Sequence, residues 1–558
     1  MKITLIFSPF IDPSYIPLGI AQLKSYVESQ LPFVKVCNLD LNIHFFNNLT
    51  KKGFLNLCKN LCYVCPKKNE HLKNMENIFN YGKLYTVSVN CLRDKETREF
   101  YDTVKYNYLI KNTSFFNLWR DCFATVTKGI IENERKIPQL LENLLQGDIN
   151  MILNERPNIV GFSIFSEEQL AYSLTIAKML KDEVNLPIIF GGAFMSYIDI
   201  PTFLDIFDFI DFVIGKEGEI GLTKFIRYFK NKNFKNVPGL FYRQKNEILH
   251  NNEEFIQNLD NIPFPDFSDF DLGQYLFPIP VLPTIFSRGC FWRKCTFCTY
   301  NRHYPVPYKI KTVGRFIEEI KFFKAMGIKY FMIDDDVIST THLNLISSLF
   351  LKENLKIFFG AIIRPDKSFS FEKLKNIYRA GGRLLIWGVE SSCQRLLDLM
   401  NKGTKVKDIE SILKNAYEVG FHNCLFMISG FPTQTEEEIY NDMKFLQKNR
   451  RHIRSFFVHR FNLTMDSYIY NNPEKFGIKN FKETAIYSRR KKSLYSNVFS
   501  FEHKTKLNWK RISEREDGIF KPTRKLFANS FQSCSHAHML IHASVNGEVA
   551  FKHREIEG

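Results

Sequence analysis

Between residues 282 and 465 the chain repeats one unit: a short apolar run, a turn and a segment of helical period, at a spacing of roughly 30 residues. The strand-like runs are Leu282–Ser287, Lys329–Ile333, Ile357–Ile363, Leu384–Val389, Cys424–Ser429 and Phe456–Asn462. Helical patterns at Val313–Ala325, Phe371–Ala380, Val406–Glu418 and Glu436–Lys448 lie between them. Strands joined through helices pair in parallel with right-handed crossovers. Six such units predict a partial (β/α)6 barrel, about three quarters of an eight-stranded one and open on one side. Chemistry in such barrels sits where strands end at their C-termini. Those ends carry Ser287-Arg288-Gly289-Cys290-Phe291-Trp292-Arg293-Lys294-Cys295-Thr296-Phe297-Cys298, then Asp334-Asp335-Asp336, Gly388-Val389-Glu390-Ser391 and Gly430-Phe431-Pro432.

The N-terminal part alternates in the same way. Strands are expected at Lys2–Ser8, Val34–Leu39, Ile159–Phe165, Pro187–Phe190 and Asp211–Ile214, with helices over Leu18–Ser29 and Glu167–Lys181. This pattern predicts an α/β fold: a doubly wound, Rossmann-like domain over residues 1–255 with a helical insert at about 43–150. A hairpin (Gly239–Tyr242, Glu247–His250) and a Pro-rich linker over 256–281 close it. Residues 282–465 form the barrel, and 466–558 a small C-terminal α+β region that serves the substrate or is accessory. A content of 45% hydrophobic and 24% charged residues suits a globular chain rather than a disordered one. No apolar run reaches membrane length, so a soluble, cytoplasmic protein is expected. The net charge of +17 is spread along the sequence, with no basic block longer than Arg489–Lys492, and is not read as a nucleic-acid signature.

Twelve cysteines in such a chain read as thiols or metal ligands rather than disulfides. Cys290, Cys295 and Cys298 share one Gly-led loop at a strand end, rich in Arg, Lys and Thr, and can converge on one metal centre. Three thiolates on a four-iron cluster leave one iron for a non-protein ligand. Zinc with His303 as fourth ligand is the alternative. Cys58, Cys62 and Cys65 form a second trio. Phe54, Cys58, Leu61, Cys62 and Cys65 fall on one face of a helix ended by Pro66, however. Cys58 and Cys65 would then lie about 10 Å apart along the axis, which suits small core residues better than neighbours on one cluster. A site of their own with Cys91 is the other reading.

The set PLGIAQLKSYVE (Pro17–Glu28), IVGFSIF, IIFGGA, DFVIGKEGE (Asp211–Glu219), SRGCFWRKCTFC, YFMIDDD, WGVESS and ISGFPTQTEEE, in this order, resembles the radical S-adenosylmethionine superfamily. The branch is the one with an N-terminal cobalamin-binding-like domain, and the resemblance covers about 1–40 and 157–467. It implies that Cys290, Cys295 and Cys298 hold three irons of a [4Fe-4S] cluster whose fourth iron is chelated by S-adenosylmethionine. Phe297 would pack beside the adenine, Asp334, Asp335 and Asp336 would meet the amino group, Glu390 the ribose hydroxyls, and Gly430 would let backbone approach the adenine. Ser163, Gly191, Gly192 and Gly215 would line cobalamin if it binds. Arg364, after the third strand, either holds a carboxylate or forms a surface ion pair.

The pattern departs from the family in two ways. The cysteines are spaced four residues then two, where three then two is common. After the first strand, Ser8-Pro9-Phe10-Ile11-Asp12-Pro13 lacks the Asp-x-His-x-x-Gly that gives cobalt an axial histidine. Cobalamin could bind without a protein ligand, or the domain could be a scaffold. The expected activity is reductive cleavage of S-adenosylmethionine to a 5′-deoxyadenosyl radical, then methylation of an unactivated carbon in a peptide or small metabolite. A low-potential donor of flavodoxin or ferredoxin type would supply the electron. Cyclisation or rearrangement without cobalamin is the runner-up, and a zinc-stapled basic binding module the non-enzyme alternative. His536 and His538, in SCSHAHMLIHAS, alternate as on a strand and read as structural or substrate-facing.

Overall fold

The computed structural model describes residues 1–49, 51, 60, 78–94, 115–245, 247–299, 308–489, 492–502, 505, 507–508, 510–512 and 536–544. The first sheet contains β1 (Lys2–Phe7), β2 (Lys35–Asp40), β3 (Ile159–Ser163), β4 (Ile188–Gly191), β5 (Phe212–Ile214), β6 (Leu240–Gln244) and β7 (Glu247–His250), in the order β2-β1-β3-β4-β5-β6-β7. The first five are parallel, and β6 and β7 add an antiparallel edge. β1, β3 and β4 are almost continuously buried, as parallel strands covered on both faces must be. The order of the parallel part reverses between β1 and β3, which leaves a crevice above the strand ends. Between β2 and β3 the insert contributes the helices Leu41–Asn48, Ile78–Arg93, Phe115–Glu132 and Gln139–Asn154. The expected helix at Glu167 begins as one 3-10 turn, Glu167–Gln169, closed by a Ser166/Gln169 capping box. It continues as Leu170–Val184 and stops at Asn185, which adopts φ 46°.

The second sheet has six parallel strands: β8 (Val281–Thr284), β11 (Tyr330–Ile338), β12 (Phe358–Ile363), β13 (Gly382–Glu390), β14 (His422–Ser429) and β15 (Ser455–Arg460). Between β8 and β11 lie two short strands, β9 (Ser287–Arg288) and β10 (Lys309–Ile310), paired antiparallel. The first barrel strand is therefore shorter than expected and ends at Thr284, because Ser287 and Arg288 leave the sheet to pair with β10. The second is longer. It runs through Asp334–Asp336 instead of ending before them, at a bulge where β11 advances from Ile333 to Ile338 while β12 advances only from Ala361 to Ile363. Side-chain caps fix the helix starts: Thr312 accepts from the Arg315 amide, Ser370 from that of Lys373, and Thr435 forms a capping box with Glu438.

A third sheet, β16 (Leu463–Thr464), β17 (Phe481–Arg489) and β18 (Lys492–Phe501), is antiparallel and lies against the N-terminal domain through a bridge from Ser496 to Ile198. Residues 536–544 form a helix, not the expected strand alternation. Met539, Leu540, Ile541 and His542 are fully buried. Met539 sulfur meets Ser455, Ser544 donates to the Tyr330 hydroxyl at 3.1 Å, and the His536 ring lies 6.0 Å from Phe426. The helix thus packs along inward-facing side chains of β11, β14 and β15. Among the described residues no helix is long and apolar enough to cross a membrane.

Candidate functional site

The C-terminal edges of the two large sheets face one another across a cavity of about 1100 Å³. The N-terminal domain lines it with Asp12, Tyr15, Ser163, Phe165, Gly191, Gly192 and the Lys216–Glu219 turn. The barrel contributes Cys290, Trp292, Cys295, Phe297, Cys298, Asp334–Asp336, Arg364, Gly388, Glu390 and Lys402, and the C-terminal helix adds His536. The three expected cysteines therefore reach one space together with residues of both domains.

The thiol loop is held at both ends. At its start, Asp335 accepts from the amides of Phe286 (2.7 Å) and Ser287 (3.0 Å) and from the Ser287 hydroxyl (2.6 Å). Asp336 accepts from the amide of Gly289, whose φ of 81° suits a residue without a side chain. Further on, Thr296 donates its amide to Met400 and its hydroxyl to Leu399, both at 2.9 Å. The Trp292 indole donates to the Asn401 carbonyl at 2.9 Å, with the Arg364 guanidinium 3.8 Å from the ring centre. A Cβ at Gly403 would stand 2.3 Å from the same ring. Cys290, Cys295 and Cys298 are half-buried thiols in no disulfide. Burial pushes the Cys295 thiol up, against the pull of Lys402. Among the described residues no three Cys, His, Asp or Glu close on a single ion; a four-iron cluster asks less, since each thiolate meets a different iron. Three thiols on an anchored loop, with the cations of Arg364 and Lys402 beside them, are a donor set that fits such a cluster.

The aspartates do not act as one motif. Asp335 lines the cavity but turns both oxygens to Phe286 and Ser287 at the start of the loop. Burial raises its carboxyl to about 7, against three hydrogen bonds that lower it. Asp334 accepts no hydrogen bond among the described residues, and burial followed by Asp336 raises it to about 6. Glu390 sits at a second bulge, with φ 68°, a strained geometry for a residue with a side chain. Its Oε1 accepts from Lys402 Nζ at 2.7 Å, a partner not foreseen. Burial works against the Lys402 charge, but Glu390 and Cys295 outweigh it and its pKa is raised. Arg364 forms an ion pair with Asp366 at 3.5 Å. It is buried, and it donates twice to the Lys402 carbonyl, at 2.6 and 3.0 Å.

In the N-terminal half, the Ser163 hydroxyl lines the cavity and takes no hydrogen bond among the described residues, and a Cβ at Gly19 would enter open space. This roomy, mostly apolar wall with one unbonded hydroxyl leaves space for a large ligand. Gly192 borders the cavity, yet its glycine is required by packing: φ is 97° and a Cβ would lie 2.5 Å from the Ile164 carbonyl. Gly215 is corrected, since it lies outside the cavity, where a Cβ would meet Ile200 and Phe241 at 3.5 Å. Gly430 also lies outside, and its amide is taken by Gln434 at 2.7 Å. Arg288 bridges the domains, pairing with Glu217 at 3.2 Å and with Glu219. His536 faces the cavity, and burial lowers its imidazole to about 4, against Asp12. His538 is buried against the Leu276 carbonyl. Cys58, Cys62, Cys65 and His303 lie outside the described residues.

Lys402, Trp292 and Gly403 escaped sequence reasoning. The dipeptide Lys402-Gly403 offers no motif, and its link to Glu390 depends on the short helix Gln394–Leu399 turning the chain back. Tyr15, which stacks on Phe165 at 5.8 Å, carried no signal beyond its neighbourhood to a strand end.

A doubly wound sheet and a six-stranded parallel sheet share one cavity with three loop thiols. Residues 284–446 match the radical SAM superfamily. The chain is 28% identical over 320 residues to an uncharacterized methyltransferase of Pyrococcus horikoshii, covering 56% of this chain and 69% of the relative. Of the next curated relatives the chain spans about half the length, 50–54%. The fold is similar to that of the cobalamin-dependent S-adenosylmethionine radical enzyme OxsB with aqua-cobalamin bound, at TM-score 0.61 and 15% identity, covering 98% of this chain and 71% of the other. It is also similar to the radical S-adenosylmethionine methyltransferase TsrM of Kitasatospora setae with cobalamin and a [4Fe-4S] cluster bound, at TM-score 0.58 and 12% identity, covering 98% and 99%.

Proposed function

We propose that this chain is a cobalamin-dependent radical S-adenosylmethionine methyltransferase, acting on an unactivated carbon of a peptide or small metabolite. The observation that carries the reading is one cavity walled by the three loop thiols and by the strand ends of both large sheets. Cys290, Cys295 and Cys298 would hold the [4Fe-4S] cluster, and Ser163, Gly191 and Gly192 would border cobalamin. When bound, these groups supply an electron for sulfonium cleavage, the 5′-deoxyadenosyl radical that removes a hydrogen atom, and the methyl group.

The chain's own residues position and shield. The Lys402 and Arg364 cations favour thiolate at Cys295. With Oε1 of Glu390 held by Lys402, Oε2 is left for ribose hydroxyls. Asp334 and Asp336 offer carboxylates to an ammonium group, and Phe297 gives the adenine an apolar wall. Tyr15 and Phe165 cover the opposite side.

Anaerobic reconstitution tests the reading. The expected result is about four irons per chain, retained corrinoid absorbance, and 5′-deoxyadenosine formed on reduction. Cys295→Ala should lose the brown colour, and His303→Ala should keep it. A colourless protein that holds one zinc and releases it on His303→Ala would refute the reading.

A further inference from the structure

Part of the cavity wall has no role in the cofactor assignments above. Met332 of β11, Ile362 of β12, Phe426 of β14 and Phe457 of β15 line it from the barrel, and His536 and Ala537 from the C-terminal helix. Phe426 and Phe457 are register partners on neighbouring strands, with ring centres 5.8 Å apart, edge to face. Both are half-buried, as is Ile362, and all three border the open cavity.

His536 is the polar side chain among these six. Its ring lies 6.0 Å from Phe426 and 6.4 Å from Phe457, and it makes no hydrogen bond or ion pair among the described residues. The histidines near it are taken: His538 by the Leu276 carbonyl, and His422 by the Ser455 hydroxyl at 3.0 Å. Burial holds the His536 imidazole neutral, at about 4, against the pull of Asp12, which lines the same cavity. A neutral imidazole has one N–H to donate and one nitrogen to accept with. Buried polar groups are hydrogen-bonded as a rule, so one that opens only onto a cavity finds its partner in what fills the cavity. Apolar walls with a few polar groups that fix orientation are the makeup of a small-molecule site.

We infer that this end of the cavity seats the substrate of the reaction proposed above, and that it takes an uncharged, largely apolar molecule whose hydroxyl or N–H group bonds to His536. The inference rests on that functional reading. The apolar body packs against Phe426, Phe457 and Ile362, and the single hydrogen bond orients a body that apolar contacts alone would leave free to turn. A carboxylate here would meet apolar walls and the Asp12 charge, while the Arg364 and Lys402 cations beside the thiols are already paired with Asp366 and Glu390. Burying an anion without a partner is costly, which selects against acidic substrates.

Calorimetric titration of the holoenzyme, loaded with cluster, cobalamin and S-adenosylmethionine under argon, tests this with three probes of similar shape: 4-methylphenol, toluene and 4-methylbenzoate. Wild type should bind 4-methylphenol about tenfold more tightly than toluene and should not bind 4-methylbenzoate measurably. His536→Leu should still bind toluene but lose the tenfold preference, and His536→Gln, which can still hydrogen-bond, should retain most of it. Equal affinity of wild type for 4-methylphenol and toluene, tighter binding of 4-methylbenzoate, no binding of any probe, or a preference that survives His536→Leu would overturn the inference. Equal loss of both neutral probes in a folded His536→Leu would mark the histidine as structural and overturn it as well. If that variant does not fold, the wild-type ranking decides. A wild type that assembles no cluster would overturn the functional reading first, and is told apart by its missing absorbance before any probe is added.

Discussion

Replacing Lys402 with Met strands a carboxylate. Glu390 is 9% exposed and Lys402 7%, and their 2.7 Å contact gives Glu390 its one ion-pair partner among the described residues. Removing one partner of a buried pair costs about 3–5 kcal/mol, because the remaining charge stays out of water without compensation. Glu390→Gln should cost a similar amount by stranding the ammonium instead. The double variant Glu390→Gln/Lys402→Met buries no charge at this point and should lose only about 0–2 kcal/mol. The cycle therefore predicts a coupling of at least about 3 kcal/mol, well above the roughly 0.5 kcal/mol expected for independent sites. Urea unfolding of the metal-free protein under argon, for wild type and the three variants, measures it. Additive losses, or single losses below about 1 kcal/mol as for a solvated pair, would refute the buried-pair argument. They would also remove the reason for Glu390 to hold φ 68°.

Gly403→Ala places a Cβ 2.3 Å from Trp292 at φ 68° and should cost about 2–4 kcal/mol through overlap and strain, read as a lower melting temperature and a loosened indole by fluorescence. Asp334 binds its proton more tightly folded than unfolded, so the stability it contributes is full below about pH 4 and is lost as pH rises through about 6. Asp334→Asn should accordingly gain about 1–2 kcal/mol at pH 8 and nothing at pH 4, the shift being discounted for contact with the cavity; equal effects at both pH values in urea titrations would contradict this. Replacing Cys58, Cys62 and Cys65 together by Ala should leave 5′-deoxyadenosine formation intact, as measured by chromatography; its loss in a folded variant would move the cluster to that trio.

The strand and helix rhythm was legible because each barrel strand is a bounded apolar run, and the helices between carry one apolar face. The predicted helices Val313–Ala325 and Glu436–Lys448 coincide with those observed. The thiol loop was legible because its three cysteines are local in sequence. What was hidden depends on contacts far apart in the chain. Glu217 and Glu219 meet Arg288 about 70 residues on, and Trp292 meets Arg364 only after two more strands of the large sheet and Gly403 only after three. Gly430 and Gly215 misled for another reason. Their positions at strand ends suggested room for a ligand, but each is turned to the protein, one toward Gln434 and the other toward Ile200 and Phe241. The histidines of SCSHAHMLIHAS fit either period over so short a run, and the helix is decided by burial along the barrel wall.

The two residues that matter most to the cavity's polarity, Asp334 and Glu390, both stand at places where the sheet loses register. Strict alternation would put Asp334 and Asp336 on one face of β11 and Asp335 on the other, within the apolar layer under the helices. The bulge frees Asp335 to reach the amides of Phe286 and Ser287, so it is satisfied where it is buried. Its neighbours remain on the cavity side, one on the thiol loop through Gly289 and one open. A single Asp-Asp-Asp run thereby does three separate jobs, with Asp335 buried between two partly exposed neighbours. The irregularity suits the chemistry: a buried carboxylate needs donors, and the loop amides beside the bulge supply them. Shortening the bulge by one residue would turn Asp335 away from the loop, which would then lose three hydrogen bonds at the entrance to Cys290.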